Sequence, residues 1–110
     1  MQKTFIPLLK KQPLANGFRQ AFSFPEINVF LVQIKNKSYL FENKCGHFGV
    51  VLDEAKIEGL ESDQVVIICN QHGISFDLST GKVVNRSWEN CDPLRILDIA
   101  IEGDMMGFYL

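Results

Sequence analysis

Residues 45–73 read CGHFGVVLDEAKIEGLESDQVVIICNQHG, and this stretch decides how the rest of the 110-residue chain is interpreted. It begins with Cys-x-His at positions 45–47 and ends with Cys-x-x-His at positions 69–72, followed by glycine. We call residues 45–49 the first ligand segment and residues 69–73 the second. Each segment offers one thiolate and one imidazole, with 21 residues between His47 and Cys69. This arrangement suits two metal ions with different ligand sets.

A 2Fe-2S cluster with two thiolates on one iron and two imidazoles on the other needs two such segments, because each must reach both irons. The chain resembles the Rieske proteins in these segments. The matching residues are Cys45, His47, Gly49, Cys69, His72 and Gly73, followed by Phe76, Asp77, Thr80, Gly81 and Lys82. The resemblance implies one cluster per chain, with Cys45 and Cys69 on one iron and His47 and His72 on the other.

Two other interpretations of the four residues stay open. Zinc also binds Cys and His, but structural zinc sites usually group their ligands as Cys-x-x-Cys or His-x-x-x-His pairs, so the observed order fits zinc less well. Any one of the four alone is typical of a core thiol or a hydrogen-bonded histidine. Together, with glycines in both segments where tight turns are needed, they favour a bound metal.

The composition is that of an ordinary globular protein. With 46% hydrophobic and 22% charged residues, we expect one domain over residues 1–110. Three cysteines cannot form a disulfide framework, and only Cys91 lies outside the ligand segments, so we expect a reducing compartment, the cytoplasm. Lysines and a proline interrupt every apolar run near the N-terminus, which predicts neither a signal peptide nor a membrane anchor.

Charge is unevenly distributed, although the net charge is only -2. Residues 1–44 contain seven basic and two acidic residues, whereas the rest contains four basic and eleven acidic ones. Five of the acidic residues lie between the ligand segments: Asp53, Glu54, Glu58, Glu61 and Asp63. This acidic spacer either steers a basic redox partner towards the site or is a solvated linker. No basic stripe with interleaved aromatic residues occurs, so nucleic acid is not an expected partner.

The first half of the chain predicts short strands. Alternating apolar residues over 18–24 favour a strand, and the run 27–40, rich in β-branched and aromatic residues, predicts a hairpin that turns at Asn36-Lys37. Its second strand leads into Cys45. Between the ligand segments, residues 53–56 predict a short helical turn and residues 57–59 a brief strand.

The second half continues the pattern. The apolar run 65–68 predicts a strand buried on both faces, Ser79-Thr80-Gly81 a turn, and residues 94–110 a closing hairpin around Gly103. The expected fold class is all-β, a small antiparallel β sandwich or barrel with two cluster-binding loops at one end.

The resemblance to the Rieske proteins also implies roles for residues around the cluster. In Rieske proteins a proline-containing segment covers the cluster, and Pro93 is the candidate here; a plain surface loop is the alternative. Membrane-bound relatives carry a second cysteine in each ligand loop, which Val50 and Gln71 replace. Their serine and tyrosine hydrogen-bond donors correspond to Ile74 and Phe76. Fewer donors to the cluster sulfurs predict a low reduction potential.

The implied function is that of the small soluble Rieske-type ferredoxins: a one-electron carrier, not an enzyme, that passes electrons from a flavin-dependent reductase to a terminal oxygenase. A complete Rieske oxygenase needs two further histidines and a carboxylate for its catalytic iron, but this chain has only two histidines. A small Rieske-like subunit of a nitrite reductase, which often lacks the ligands, and a zinc-stabilised interaction module are the alternatives. No membrane partner is expected.

Overall fold

The computed structural model describes residues 3–44, 52, 55–59, 64–69, 73–84 and 92–110. Every regular element within these ranges is a β-strand, and all strand pairs are antiparallel. The strands are β1 (Phe5–Lys10), β2 (Arg19–Ser23), β3 (Asn28–Ile34), β4 (Lys37–Glu42), β5 (Lys56–Glu58), β6 (Val66–Ile68), β7 (Ser75–Asp77), β8 (Ile96–Leu97), β9 (Ala100–Glu102) and β10 (Met105–Tyr109). The predicted all-β antiparallel fold is confirmed.

Three sheets form, with the strand orders β1-β10-β9, β2-β3-β4-β8 and β5-β6-β7. We call them the terminal sheet, the central sheet and the loop-side sheet. Within the central sheet, β3 is buried at every position after Asn28. Because successive side chains of a strand point to opposite faces, β3 contributes to two separate cores.

The loop-side core lies between the central and loop-side sheets. Its buried members are Phe30, Val32, Ile34, Tyr39, Phe41, Leu52, Ala55, Val65, Ile67, Cys69, Ile74, Phe76, Leu78 and Leu94. The terminal core lies on the other face of the central sheet, and its buried members are Ile27, Val29, Leu31, Leu40, Met106 and Phe108. The central sheet is therefore the middle layer of the molecule.

The predicted hairpin of residues 27–40 is confirmed as β3 and β4, but its turn lies one residue earlier. Ile34 pairs with Lys37, so Lys37 begins β4 and the turn consists of Lys35 and Asn36. Lys35 has φ +54°, a conformation that residues other than glycine seldom adopt. Its N–H donates to Asn16 Oδ1 at 2.7 Å, and its carbonyl accepts from Gln33 Nε2 at 2.8 Å. These two contacts hold the turn.

Three further predictions need correction. Ile67 of β6 is fully buried, but Val66 and Ile68 are only half-buried, because the loop-side sheet has only one face on a core. Lys56, predicted to end a helical turn, pairs with Ile68 and begins β5; residues 53–54 lie outside the described ranges. The strand predicted at 57–59 is β5, one residue earlier.

The closing hairpin begins later than predicted. Residues 100–109 form β9 and β10 around Gly103, which has φ +59°, but Ile96 and Leu97 pair with β4 as β8. The terminal sheet also contains β1, and Thr4 and Leu110 exchange two backbone hydrogen bonds of 3.0 Å. Among the described residues, there is no helix of the length and apolar character needed to span a membrane.

Candidate metal centre

The second ligand segment begins where β6 ends. The N–H of Cys69 donates to the carbonyl of Ile74 at 2.8 Å, and the N–H of Gly73 donates to the carbonyl of Cys69 at 3.0 Å. These bonds extend the β6–β7 hairpin and join the two ends of the segment. Gly73 has φ +66°, which glycine adopts without steric cost. The backbone on both sides of residues 70–72 is therefore fixed.

Cys69 is the one predicted ligand within the described ranges; Cys45, His47 and His72 lie outside them. Its side chain is 1% exposed and belongs to the loop-side core, together with the fully buried Ile74 and Phe76. Free thiols often pack as small hydrophobic side chains. This thiol lies directly after β6 and at the start of the second ligand segment, and its role as a metal ligand stays a prediction.

The described residues on either side of the first ligand segment are joined by a side chain. Asn43 follows β4, and its Oδ1 accepts a hydrogen bond of 2.8 Å from the N–H of Leu52. The backbone N–H of Asn43 donates to the carbonyl of Asn28 at 2.8 Å. Asn43 was not among the residues predicted to belong to the site. A short polar residue directly after an apolar strand, able to bond nearby backbone, was the available signal.

Residues at or next to the two ligand segments belong to the same core. Leu52, at the base of the first segment, and Cys69 and Ile74, at the base of the second, are all buried in the loop-side core. One thiolate and one imidazole per segment, with bases held against one core, is the donor set that a Rieske-type 2Fe-2S cluster requires. The residues present fit this cluster.

The tail that follows the second segment forms the predicted turn. Asp77 Oδ1 accepts from the N–H of Ser79 at 2.7 Å, and the carbonyl of Asp77 accepts from the N–H of Gly81 at 2.7 Å. Thr80 Oγ1 accepts from the N–H of Lys82 at 3.2 Å. The resemblance at Asp77, Thr80, Gly81 and Lys82 therefore corresponds to one turn with a defined set of hydrogen bonds.

Gly81 also contacts the segment that contains Pro93. Its carbonyl accepts from the N–H of Leu94 at 2.7 Å, and an added Cβ would lie 2.1 Å from the Leu94 carbonyl oxygen. Leu94 is buried, whereas Pro93 is exposed. Residues 85–91 lie outside the described ranges, so the covering role of Pro93 stays a prediction.

The acidic spacer is attached to the central sheet by Arg19. Arg19 Nη2 donates to the carbonyl of Ala55 at 2.7 Å, and Arg19 Cζ lies 5.3 Å from the centroid of the Phe30 ring. Of the five acidic residues in the spacer, Glu58 is described, and it forms an exposed ion pair of 3.1 Å with Lys56. The other four lie outside the described ranges, so steering of a partner stays a prediction.

Comparison with known proteins gives a family and a fold. The profile of the Rieske [2Fe-2S] domain family matches residues 4–98. Among solved structures, the ferredoxin of carbazole 1,9a-dioxygenase from Nocardioides aromaticivorans IC177 is 23% identical, with a TM-score of 0.68 over 93% of this chain and 95% of that chain. The Sphingomonas yanoikuyae B1 ferredoxin is 19% identical, with a TM-score of 0.73 over 97% of this chain and 99% of that chain.

A third match is a complex of reduced oxygenase and oxidised ferredoxin in carbazole 1,9a-dioxygenase. The matched chain is 19% identical, with a TM-score of 0.73 over 94% of this chain and 91% of that chain. At these identities the likeness shows the fold. A comparison with curated proteins gave no match.

Proposed function

Since this chain belongs to the Rieske [2Fe-2S] domain family, we propose that it is a ferredoxin that carries single electrons and is not itself an enzyme. The cofactor of the family, one 2Fe-2S cluster, is the cofactor of this chain. When bound, such a cluster takes up and releases one electron. We assign residues 1–110 to one Rieske-type domain.

The proposed ligands are Cys45 and Cys69 for one iron and His47 and His72 for the other. The observation that carries this assignment is the position of Cys69, a buried thiol at the base of the second ligand segment and in the same core as Leu52. The Asn43–Leu52 bond and the burial of Leu52 in the same core as Cys69 support the proposal that the two segments share one cluster.

The proposed electron donor is a flavin-dependent reductase, and the proposed acceptor is a terminal oxygenase. Support comes from two solved ferredoxins, of which this chain covers 95% and 99%, and from the complex in which a ferredoxin meets its oxygenase. We place the electron exit at the end that carries His47 and His72. We also propose a cytoplasmic location, because the cysteine content suits a reducing compartment.

The residues around Cys69 determine how polar this site is. Ile74 and Phe76 are fully buried and apolar, so they exclude water and offer the cluster sulfurs no side-chain hydrogen-bond donor. Hydrogen bonds to the sulfurs raise the reduction potential. We therefore predict a potential near the lower end of the Rieske range, which extends from about -150 to about +300 mV.

A redox titration measures this potential directly. It should also fall as the pH rises in the alkaline range, because imidazole ligands lose protons more readily when the cluster is oxidised. A potential near the upper end of the range would contradict the assigned environment, and a pH-independent potential would contradict two histidine ligands.

The test of the proposed function begins with iron and acid-labile sulfide in the anaerobically purified chain. Two irons and two sulfides per chain, with nitrogen couplings from two imidazoles in the paramagnetic resonance spectrum of the reduced protein, are expected. The reduced protein should then lose its electron to a terminal oxygenase in a stopped-flow experiment. One zinc without sulfide would overturn the ligand assignment in favour of a structural metal site, and an intact cluster that no oxygenase oxidises would overturn the assigned acceptor.

A further inference from the structure

Two buried polar side chains stand out in the described part of the chain, Gln33 at 6% exposure and Asn43 at 5%. A buried amide is costly unless its polar atoms are hydrogen-bonded. Gln33 bonds within its own hairpin: Nε2 donates to the carbonyl of Lys35, and Oε1 accepts from Ser38 Oγ. Asn43 instead bonds to Leu52, nine residues away. The two amides therefore hold different parts of the molecule.

The Asn43–Leu52 bond joins two points that are themselves fixed. Asn43 is held by the hydrogen bond from its backbone N–H to the carbonyl of Asn28, at the start of β3. Leu52 is held by its fully buried side chain in the loop-side core, and its carbonyl accepts from the N–H of Ala55 at 3.0 Å. The chain between these two points contains Cys45 and His47.

We propose that Asn43 is a positioning residue for the 2Fe-2S cluster. Its side-chain carbonyl fixes the separation between Asn43 and Leu52, which flank the first ligand segment, and through this separation it sets how Cys45 and His47 meet the irons. The inference rests on the ligand assignment proposed above. An amide suits the role because it accepts the Leu52 bond without adding a charge beside the cluster. A carboxylate would accept the same bond but, being negative, would favour the oxidised cluster.

The experiment compares Asn43→Ala, which removes the acceptor, with Asn43→Asp, which keeps it, in the full-length chain loaded with its cluster. Gln33→Ala is the matched control, because it removes an equally buried amide at the other end of β3. Four quantities are measured: the g-values of the reduced cluster, its reduction potential, the rate of iron loss to a chelator, and the hydrogen exchange of the Leu52 amide.

For Asn43→Ala we expect shifted g-values, iron loss at least fivefold faster, and exchange of the Leu52 amide roughly tenfold faster, in line with the loss of one buried hydrogen bond. Asn43→Asp should restore the g-values and the Leu52 protection while lowering the potential. Gln33→Ala should leave all four quantities unchanged, even where it lowers the denaturation midpoint.

The outcomes separate this inference from the proposed function. A wild-type chain without iron and sulfide would refute the proposed ligands and, with them, this inference. A wild-type chain with a cluster, whose g-values and iron-loss rate are the same in Asn43→Ala and Gln33→Ala, would overturn the role of Asn43 alone. If Asn43→Ala does not fold, Asn43→Asp decides: wild-type g-values with a lowered potential support the role, and shifted g-values overturn it.

Discussion

The two cores on either side of the central sheet are built differently. The terminal core is covered by β1 and β10, which pair through five residues each. The loop-side core is covered by strands of three residues, and its members include Leu52, Ala55 and Cys69, which lie outside any strand. Short strands order poorly without packing partners. We therefore expect the terminal sheet and its core to stay folded without the cluster. The stability of the loop-side sheet should depend on the bound cluster.

The largest effect should come from removing a ligand. Cys69→Ser should reduce iron content to about a tenth of wild type or less, since serine is a poor ligand for an iron–sulfur cluster. Hydrogen exchange should then accelerate in β6 and β7 while β1 and β10 stay protected. Cys91→Ala is the control and should keep its colour. A colourless Cys91 variant would show that the wrong thiols were assigned. Equally accelerated hydrogen exchange in the loop-side and terminal sheets would contradict the expected difference in their dependence on the cluster.

A pair of phenylalanines tests the cores one at a time. Phe76 and Phe108 are both fully buried, the first in the loop-side core and the second in the terminal core. Each Phe→Ala change should lower the free energy of unfolding by about 3–5 kcal/mol, measured by chemical denaturation. Only Phe76→Ala should also alter the paramagnetic resonance spectrum of the cluster, because Phe76 belongs to the same core as Cys69. An altered spectrum in the Phe108 variant would mean that a change in the terminal core is transmitted through the central sheet to the cluster.

Alanine substitutions at two glycines distinguish the cost of backbone strain from the cost of a steric clash. Gly81 and Gly103 both have positive φ, but only Gly81 has an atom within 4 Å of an added Cβ. Gly103→Ala should cost about 1 kcal/mol from backbone conformation. Gly81→Ala should cost about 1–3 kcal/mol more, because the segment at Leu94 must move. Equal losses in thermal or urea denaturation would argue against the close approach of Gly81 to Leu94.

The smallest effect concerns the link between the central sheet and the acidic spacer. Arg19→Ala should lower the free energy of unfolding by about 1 kcal/mol, through the lost hydrogen bond to Ala55 and the lost contact with Phe30. Arg19→Lys keeps the charge and serves as the control; it should lose less. If both variants unfold at the wild-type urea concentration, Arg19 does not stabilise the spacer.

Local signals predicted much of the fold. The hairpin of β3 and β4 and the turn at 79–81 follow from apolar alternation and turn residues that lie close together in sequence. The pairing of Ile96 with β4, the pairing of β1 with β10 and the half-burial of β6 depend on long-range contacts, so no local pattern revealed them. The turn at Lys35 was misplaced because a non-glycine residue adopts positive φ there, supported by distant Asn16.

In the candidate site, too, some features follow from local sequence and others depend on long-range contacts. Cys-x-His and Cys-x-x-His point to four ligand residues because the chemistry needs those residue types at that spacing, and this ligand assignment stays a prediction. The role of Asn43 was not predictable, because it depends on the backbone of Leu52 and on a shared core that only the folded chain brings together.

The proximity of residues 4 and 110 matters for protein engineering. Thr4 and Leu110 exchange two backbone hydrogen bonds, so a short peptide from residue 110 to residue 4 would close the chain into a ring without crossing either core. Cutting this ring at a different loop would give a circular permutant, in which the strands follow one another in a different order along the chain. Such a permutant can retain all three sheets. A fusion partner or an electrode tether attached next to residue 4 or residue 110 would leave the molecule from the same end of the neighbouring strands β1 and β10.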